Sequence, residues 1–390
     1  MQVTAFSIFV ARSGNRRPVI LELETDSGVR GIGEAGVAYG LGDTAAAEML
    51  KAMALRHVLG RDPGPVEAIW NEIYDLGFWT RGGGAIAFSA LSAVEIALWD
   101  IKGRALGAPV HALLGGPVVR DLPLYANGWW IGCDTPDEFA EAGVRTVARG
   151  YRGLKLYPLA MPDPLTVLRH PERRHLDRAL VPKAVARVRA LRDAVGPDVE
   201  IMLDFGGGLA ADELLRVLAA IEGCDVAFVE EPVDPALPEA LAAVARRTTI
   251  PLAAGERRYG RYGFLPLLQA GAVSVLQPDA CNTGGILEAR KIAAMGEAYN
   301  LRVAPHNYGS TLATAIAAQL SATLPNLMVL EHFPDYDREP GYLAVLHDPL
   351  EARVRDGLMP VPGGPGLGVS LHRENLAPFL WARCTLEDAP

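Results

Sequence analysis

Val226-Ala227-Phe228-Val229-Glu230-Glu231-Pro232 and Pro251-Leu252-Ala253-Ala254-Gly255-Glu256-Arg257 are two apolar runs of strand length, each closed by an acid. Glu230 and Glu256 stand 26 residues apart, the length of one strand plus one helix. The same beat continues in both directions: Asp204 lies 26 residues before Glu230, Asp279 lies 23 after Glu256, His306 follows 27 later, and Glu331 25 after that. Each of these six side chains comes directly after an apolar run. An acid after a strand often caps the next helix, but five acids and a histidine in succession are better explained as one rim. Repeated parallel strand–helix units close into a barrel whose active site gathers at the carboxyl ends of the strands.

Further out, candidate strands at 122–126, 152–156, 200–203, 226–229, 251–254, 273–276, 301–304 and 327–330 alternate with helical patterns such as 212–222, 238–247 and 285–298. Eight strands predict a (β/α) barrel over 119–349. Before it, 1–118 reads as an α+β unit. Val19 to Glu24 turns at Asp26-Ser27-Gly28 and returns through Val29 to Glu34, and a long amphipathic helix runs from Ala85 to Leu106, stopped by Gly107 and Pro109. Residues 350–390 are Gly/Pro-punctuated and are expected to return to the first unit. Residues 158–182 exceed the rhythm and read as a surface insertion.

The rim suggests chemistry. Carboxylates from Asp204, Glu230 and Glu256 on neighbouring strands would repel one another without a cation, and oxygen donors favour Mg²⁺ over zinc. Asp279 beside His306 would fix the imidazole tautomer of a general base. Glu331 is expected to stay protonated amid negative charge and to donate to a developing oxyanion. Lys155 and Tyr157, two apart after the second barrel strand, face one way and offer a cation and a phenol.

Composition narrows the partners. Of 390 residues 50% are hydrophobic and 21% charged, enough for a large core, and 46 acids against 37 bases give a net charge of −9. That balance argues against nucleic acid. The basic cluster Arg169-His170-Pro171-Glu172-Arg173-Arg174-His175 reads as a solvated face. No apolar run approaches the roughly 18 residues of a membrane span. Met1 to Phe6 lacks a basic lead and reads as an opening strand. The scattered Cys133, Cys224, Cys281 and Cys384 fit a reducing cytoplasmic setting.

These residues resemble the enolase superfamily, in its mandelate racemase and muconate lactonizing enzyme-like branch. The resemblance rests on Ala97-Leu98-Trp99-Asp100-Ile101-Lys102-Gly103, Glu230-Glu231-Pro232, Gly255-Glu256-Arg257, Gln277-Pro278-Asp279 with Gly284-Gly285, Pro305-His306, and the Pro362 to Gly368 tail. It implies a modified (β/α) TIM-type barrel under an α+β capping domain, one Mg²⁺ per subunit, and removal of a proton alpha to a carboxylate. By resemblance Asp204, Glu230 and Glu256 are the metal ligands, Asp279 and His306 the dyad, and Glu331 the electrophile. The same resemblance implies a homo-oligomer and places Tyr39 in a lid. The nearest subgroup is the acid sugar dehydratases, acting on a small carboxylate. Two departures bear on activity. The racemase pattern has two lysines flanking one residue, whereas the second here is Tyr157; and some dehydratases carry a histidine where this chain has Gly206. The first removes a second base and favours one-sided deprotonation with loss of a hydroxyl. The second leaves the leaving-group proton to His306 or Tyr157.

Three other features invite competing readings. Gly31-Ile32-Gly33-Glu34-Ala35-Gly36 matches a dinucleotide string, but it lies on the return arm of a hairpin and opens no helix, so no nucleotide cofactor is expected. His170 and His175 have no ligand spacing and read as surface residues. Of the adjacent Trp129 and Trp130, one is expected to face substrate, and Trp129 is taken as that one. The rival functions are a sugar-lactone cycloisomerase and a non-catalytic metabolite-binding barrel.

Overall fold

Alternating apolar residues and two turns generate the first sheet. Strands β1 (Val3–Val10), β2 (Val19–Thr25) and β3 (Arg30–Ala35) run antiparallel in sequence order. Gly28 closes the β2–β3 turn by donating to the Thr25 carbonyl at 3.0 Å. The structure is a computed structural model and describes residues 1–163, 167–169, 176–337 and 342–389, with backbone alone for 162–163 and 167–169. His170, His175 and most of the Arg169–His175 cluster lie outside the described residues.

The helix Ala85–Leu106 ends, as its sequence predicts, on a left-handed Gly107 (φ 66°). It is buried on nearly every side, from Ala87 to Ile101, because β3 covers one face, the helices Asp43–His57 and Val66–Leu76 cover others, and the barrel helix Ile286–Ala298 also meets it. That contact explains the Gly31-Ile32-Gly33 string. A Cβ on Gly31 would stand 2.2 Å from the Ala97 carbonyl oxygen, and one on Gly33 2.1 Å from that of Ala93. Only glycine lets strand and helix backbones meet there. Asp100 fastens the layer by accepting from Ile32 N (3.0 Å) and from Leu367 N (2.8 Å) in the tail.

The barrel follows the predicted units. Its strands are β4 (Asp121–Ala126) and β5 (Gly153–Leu156), then, past a small hairpin β6 (Met161–Asp163) and β7 (Val167–Arg169), β8 (Glu200–Asp204), β9 (Val226–Glu230), β10 (Leu252–Ala254), β11 (Val275–Leu276), β12 (Arg302–Val303) and β13 (Leu330–His332). Neighbours pair in parallel in the order β12-β11-β10-β9-β8-β5-β4-β13. The gap between β12 and β13 is bridged at Val303↔Leu327, with Met328 N donating to Val303 O at 2.7 Å. The last strand therefore starts three residues later than the apolar run at 327–330 suggests, and Glu331 sits within it, opposite Tyr125.

Two other expectations are corrected. Residues 350–390 do not all return to the first sheet: β14 (Leu358–Pro360) pairs antiparallel with β4, while β15 (Leu380–Thr385) pairs with β1. The 158–182 insertion is not all surface, since Pro158, Leu159 and Ala160 are buried. Arg187 Nη1 donates to the Pro158 and Ala160 carbonyls at 2.8 Å each, which anchors that turn.

Two buried carboxylates of the first unit cap barrel helices. Glu34 accepts from Ser310 N (2.8 Å) and Ala313 N (3.2 Å) at the start of Thr311–Ser321. Glu95 accepts from Ile286 N (2.8 Å) and Leu287 N (2.9 Å) at the start of Ile286–Ala298. Each satisfies otherwise unpaired N–H groups of a helix start, so these contacts fix the capping layer over the rim, although burial raises Glu34 to about 7 and Glu95 to about 8. All four cysteines are free, and among the described residues no helix is long and apolar enough to cross a membrane.

Candidate active site

Inside the barrel, Tyr125, Met202, Phe228, Ala253, Val275, Ala304 and Val329 form a closed apolar layer. Strand side chains alternate faces, so the next inward positions lie two residues on. From Met202, Phe228, Val275, Ala304 and Val329 this gives Asp204, Glu230, Gln277, His306 and Glu331. From Gly153 on β5 it gives Lys155. Glu256 is one residue further, beyond Gly255. The polar layer is thus a direct consequence of strand periodicity above a plugged interior.

Lys155 is buried at its centre. Its ammonium lies 2.7 Å from Glu230 Oε2, 2.7 Å from Glu331 Oε1 and 3.9 Å from Asp204 Oδ2. Gln277 Nε2 also donates to Glu230 Oε2 at 2.7 Å. The other oxygen, Glu230 Oε1, is buried and has no hydrogen-bond partner. Burial, reinforced by Asp204, Glu331 and Glu256, outweighs Lys155 and pushes Glu230 up to about 8. Burial likewise raises Asp204, against the pull of Lys155.

On the other side His306 Nδ1 lies 2.8 Å from Asp279 Oδ2, and its Nε2 lies 2.9 Å from Glu256 Oε2. Burial disfavours a charged imidazole, but the two carboxylates win and hold His306 well above its usual range. Glu256 is part-buried, which raises it, yet His306 and Arg257 bring it down to about 2. Asp279 is itself fixed by Cys281 N, which donates to Oδ1 at 2.7 Å.

Glu331 departs from expectation. Burial raises its pKa, but Lys155, His306 and the Asn307 N–H together hold it below the ordinary value, which favours the carboxylate over the protonated form expected of it. Asn127 Nδ2 donates to it at 2.8 Å and Asn307 N at 2.9 Å. Tyr157 departs as well: its hydroxyl donates to the Phe205 carbonyl at 2.6 Å. Gly206, left-handed at φ 56°, lies against that hydroxyl, since a Cβ there would be 2.9 Å from it. The two departures from the family pattern are therefore one local arrangement.

These groups open onto a cavity of ≈ 460 Å³. Tyr39, Lys155, Tyr157, Asp204, Glu256, His306 and Glu331 line it, with Glu230 and Asp279 behind them. Trp129 does not. Its indole turns beneath the rim, donating to Lys155 O at 2.9 Å and meeting Phe139 edge-on. Trp130 lines the cavity in its place, so the choice between the two tryptophans is reversed. Tyr39 is half exposed and edge-on to Tyr308, with ring centroids 5.6 Å apart. Arg257, Asn127, Asn282 and Tyr308 also line the cavity and were not singled out. Of the missed residues Gln277 and Asn127, two on from the inward Val275 and Tyr125, carried a sequence signal.

The donor set suits a hard divalent cation: carboxylate oxygens on three adjacent strands, one of them buried and unpartnered. Among the described residues no three such groups converge at ligand distance, because Glu230 leans to Lys155 and Glu256 to His306.

Comparison with known proteins matches residues 3–115 to the mandelate racemase / muconate lactonizing enzyme N-terminal domain and 138–375 to the enolase C-terminal domain-like family. A D-galactonate dehydratase of Variovorax paradoxus is 36% identical over 362 residues, 92% of this chain and 90% of that protein. A D-galactarolactone cycloisomerase of Agrobacterium fabrum is 32% identical over 385 residues, 96% of this chain and 94% of its own. A crystal structure from Mesorhizobium loti superposes with a TM-score of 0.95 at 44% identity, covering 99% of this chain and 100% of that one.

Proposed function

Since the chain belongs to the mandelate racemase/muconate lactonizing enzyme branch of the enolase superfamily, we propose that it is a Mg²⁺-dependent sugar acid dehydratase. It removes the proton alpha to the carboxylate of an aldonate or aldarate and expels the β-hydroxyl, giving a 2-keto-3-deoxy acid. The observation that carries this reading is the one-sidedness of the cavity. Among the described residues a single imidazole stands in it, on one side, and the position that would hold a second base is a tyrosine whose proton is committed to Phe205 O at 2.6 Å. Such a site deprotonates from one face, which suits elimination and not racemisation. Named dehydratases among the relatives support it.

Asp204, Glu230 and Glu256 would hold Mg²⁺, which when bound supplies Lewis-acid stabilisation of charge gathering on the substrate carboxylate. With Glu256 engaged on the cation, the carboxylate that favours a proton on His306 Nε2 would be drawn off, and the neutral Nε2 would take the alpha proton while Asp279 holds Nδ1–H and keeps the ring oriented. A positioned base contributes about 10²–10⁴-fold, roughly 3–5 kcal/mol, too little alone for a proton beside a carboxylate. Lys155 adds a buried ammonium aimed at the developing enediolate. Glu331, ionised, holds that ammonium in place together with Asn127. We assign the return of a proton to the departing hydroxyl to His306, because Tyr157 has its own hydrogen bonded elsewhere.

The test is incubation with Mg²⁺ and candidate sugar acids in D₂O. Wild type should exchange the alpha hydrogen and yield a product lighter by one water, and His306→Asn should do neither. Exchange surviving in His306→Asn would remove the assigned base. The cycloisomerase relative supports a second reading, in which a sugar lactone is isomerised through the same deprotonation. An isomeric product of unchanged mass would favour it.

A further inference from the structure

We propose that Glu231 is a positioning residue, tying together the three chain segments that carry Asp204, Glu230 and Glu256, with Arg257 as its partner. The inference deepens the dehydratase reading and rests on its assignment of Mg²⁺ to those three carboxylates. It follows from the backbone and the side chain of one residue that the chemistry itself leaves unused.

Among the described residues four that are not glycine have positive φ. Asp225, Asn300 and Asp356 are of the types that tolerate this region. The fourth is Glu231, at φ 42°. It also precedes Pro232, and a residue before proline prefers an extended backbone. A conformation held against both preferences persists only where its surroundings over-determine it. Here those surroundings are the other two ligand segments.

Every polar group of Glu231 is engaged with one of them. Its N–H donates to Ala253 O at 3.0 Å, and its carbonyl accepts from Gly207 N at 2.7 Å. Side-chain Oε1 accepts from Gly255 N at 3.2 Å, while Oε2 accepts from Arg257 Nη2 at 2.7 Å and from Nε at 3.2 Å. Gly255 and Arg257 flank Glu256, so one carboxylate grips the third ligand from both sides. Gly207 lies just beyond Asp204, and Phe205 N donates to the Glu230 carbonyl at 3.1 Å, so the first two segments are joined at neighbouring rungs. Gly207 also packs on the guanidinium, since a Cβ there would stand 2.9 Å from Arg257 Nη2. Glu231 is buried behind the cavity wall, whereas Arg257 reaches its lining. Groups that orient ligating carboxylates from behind are worth about 10–100-fold in metal affinity.

The test compares wild type with Glu231→Gln, which keeps the size but turns an NH₂ group toward one of the donors. Mn²⁺, which suits the same oxygen donors as Mg²⁺, is titrated and read by electron paramagnetic resonance, with Asp204→Asn to mark binding at the assigned ligands. Glu231→Gln should raise the dissociation constant by about 10–100-fold. A role in fold stability alone would lower the urea midpoint and leave the folded protein's Mn²⁺ affinity unchanged; that result overturns the proposal while the dehydratase reading stands. If Glu231→Gln does not fold, Arg257→Lys keeps the charge but loses the forked donor pair. It should weaken Mn²⁺ by about 10-fold, and unchanged affinity there overturns the proposal equally. Weakened Mn²⁺ binding in the variants, with no sugar acid turned over by Mg²⁺-loaded wild type, keeps the proposal and sinks the dehydratase reading. Wild type that binds no Mn²⁺, or Asp204→Asn that binds it equally well, removes the metal assignment and the proposal together.

Discussion

Gly206→Ala tests whether Tyr157 and Gly206 form one unit. The residue is left-handed at φ 56°, and the added Cβ would lie 2.9 Å from the Tyr157 hydroxyl, 3.4 Å from Cε2 and 3.6 Å from Cζ. Placing alanine in that backbone region costs roughly 1–2 kcal/mol. The contact to the ring carbons is ordinary, but the one to the hydroxyl is too close. The phenol must therefore move and stretch its 2.6 Å bond to Phe205 O, adding about 1 kcal/mol. Gly206→Ala should cost about 2–3 kcal/mol in all. Tyr157→Phe alone loses the hydrogen bond and leaves the Phe205 carbonyl bare, about 1–2 kcal/mol. In the double variant the strain remains but the collision is gone, so its cost should fall short of the sum by about 1 kcal/mol. Urea unfolding of the four proteins measures the cycle. Additivity within about 0.5 kcal/mol would refute the coupling and leave glycine's φ as its whole role. The same geometry predicts that Gly206→His does not install a second acid while Tyr157 stays.

Three further outcomes are expected. Lys155→Met removes the ammonium 2.7 Å from both Glu230 and Glu331, leaving buried carboxylates unpaired; in chelator it should cost about 3–5 kcal/mol by urea unfolding, and a loss near zero would sink the network. Glu95→Ala strips the acceptor from Ile286 N, Leu287 N and Trp99 Nε1; a cost of about 3 kcal/mol is expected from the buried donors left bare, and a change within about 0.5 kcal/mol would refute it. His332 is 2% exposed, and burial holds its pKa down to about 3. Below the unfolded value near 6.5 the unfolded chain binds the proton and the folded chain does not, so stability falls as pH drops from about 6.5 towards 3, by about 1.4 kcal/mol per unit. His332→Gln should lack that component, so equal slopes for the two proteins between pH 6 and 4 (about two units of the window) would discard it.

Much of the barrel and its rim could be read from the chain because parallel strands buried on both faces leave continuous apolar runs, and the residue that ends each run inherits an inward or outward direction. Asp204 and Glu230 close their strands as the spacing implied. The apolar run Leu327–Leu330 puts Glu331 at a strand end, whereas the strand paired with β4 begins only at Leu330 and includes Glu331. Protonation was the weaker inference. Five acids on a rim suggest a protonated member, but Lys155 is equally inward and sits against Glu331. Trp129 and Trp130 could not be separated, because they follow β4 in a turn where strand alternation no longer applies. Arg257, Asn282 and Tyr308 come from loops whose direction depends on their neighbours and not on period. The insertion was misjudged at 158–160 for a related reason: Arg187, 27 residues on, supplies the hydrogen bonds that let this turn go inside.

The polar layer stands directly above an apolar one. Met202, Phe228 and Val275 seal the barrel from below, while the inward positions two residues later carry Asp204, Glu230 and Gln277. Apolar side chains there would continue the core without desolvating any charge, and replacing a buried ionic network by packed hydrophobic residues is often neutral or stabilising. Stability therefore does not account for Lys155 between two carboxylates, nor for a Glu230 pushed up to about 8 with one oxygen bare. The capping layer carries the same kind of buried carboxylate with better partners. Burial raises Glu34 to about 7 and Glu95 to about 8, against the helix N–H groups that each accepts from. At the joint between the units backbone donors meet these oxygens, whereas in the cavity beneath Glu230 keeps one oxygen bare. A bound cation and an anionic substrate would relieve the crowding there by meeting such oxygens and the Lys155 ammonium.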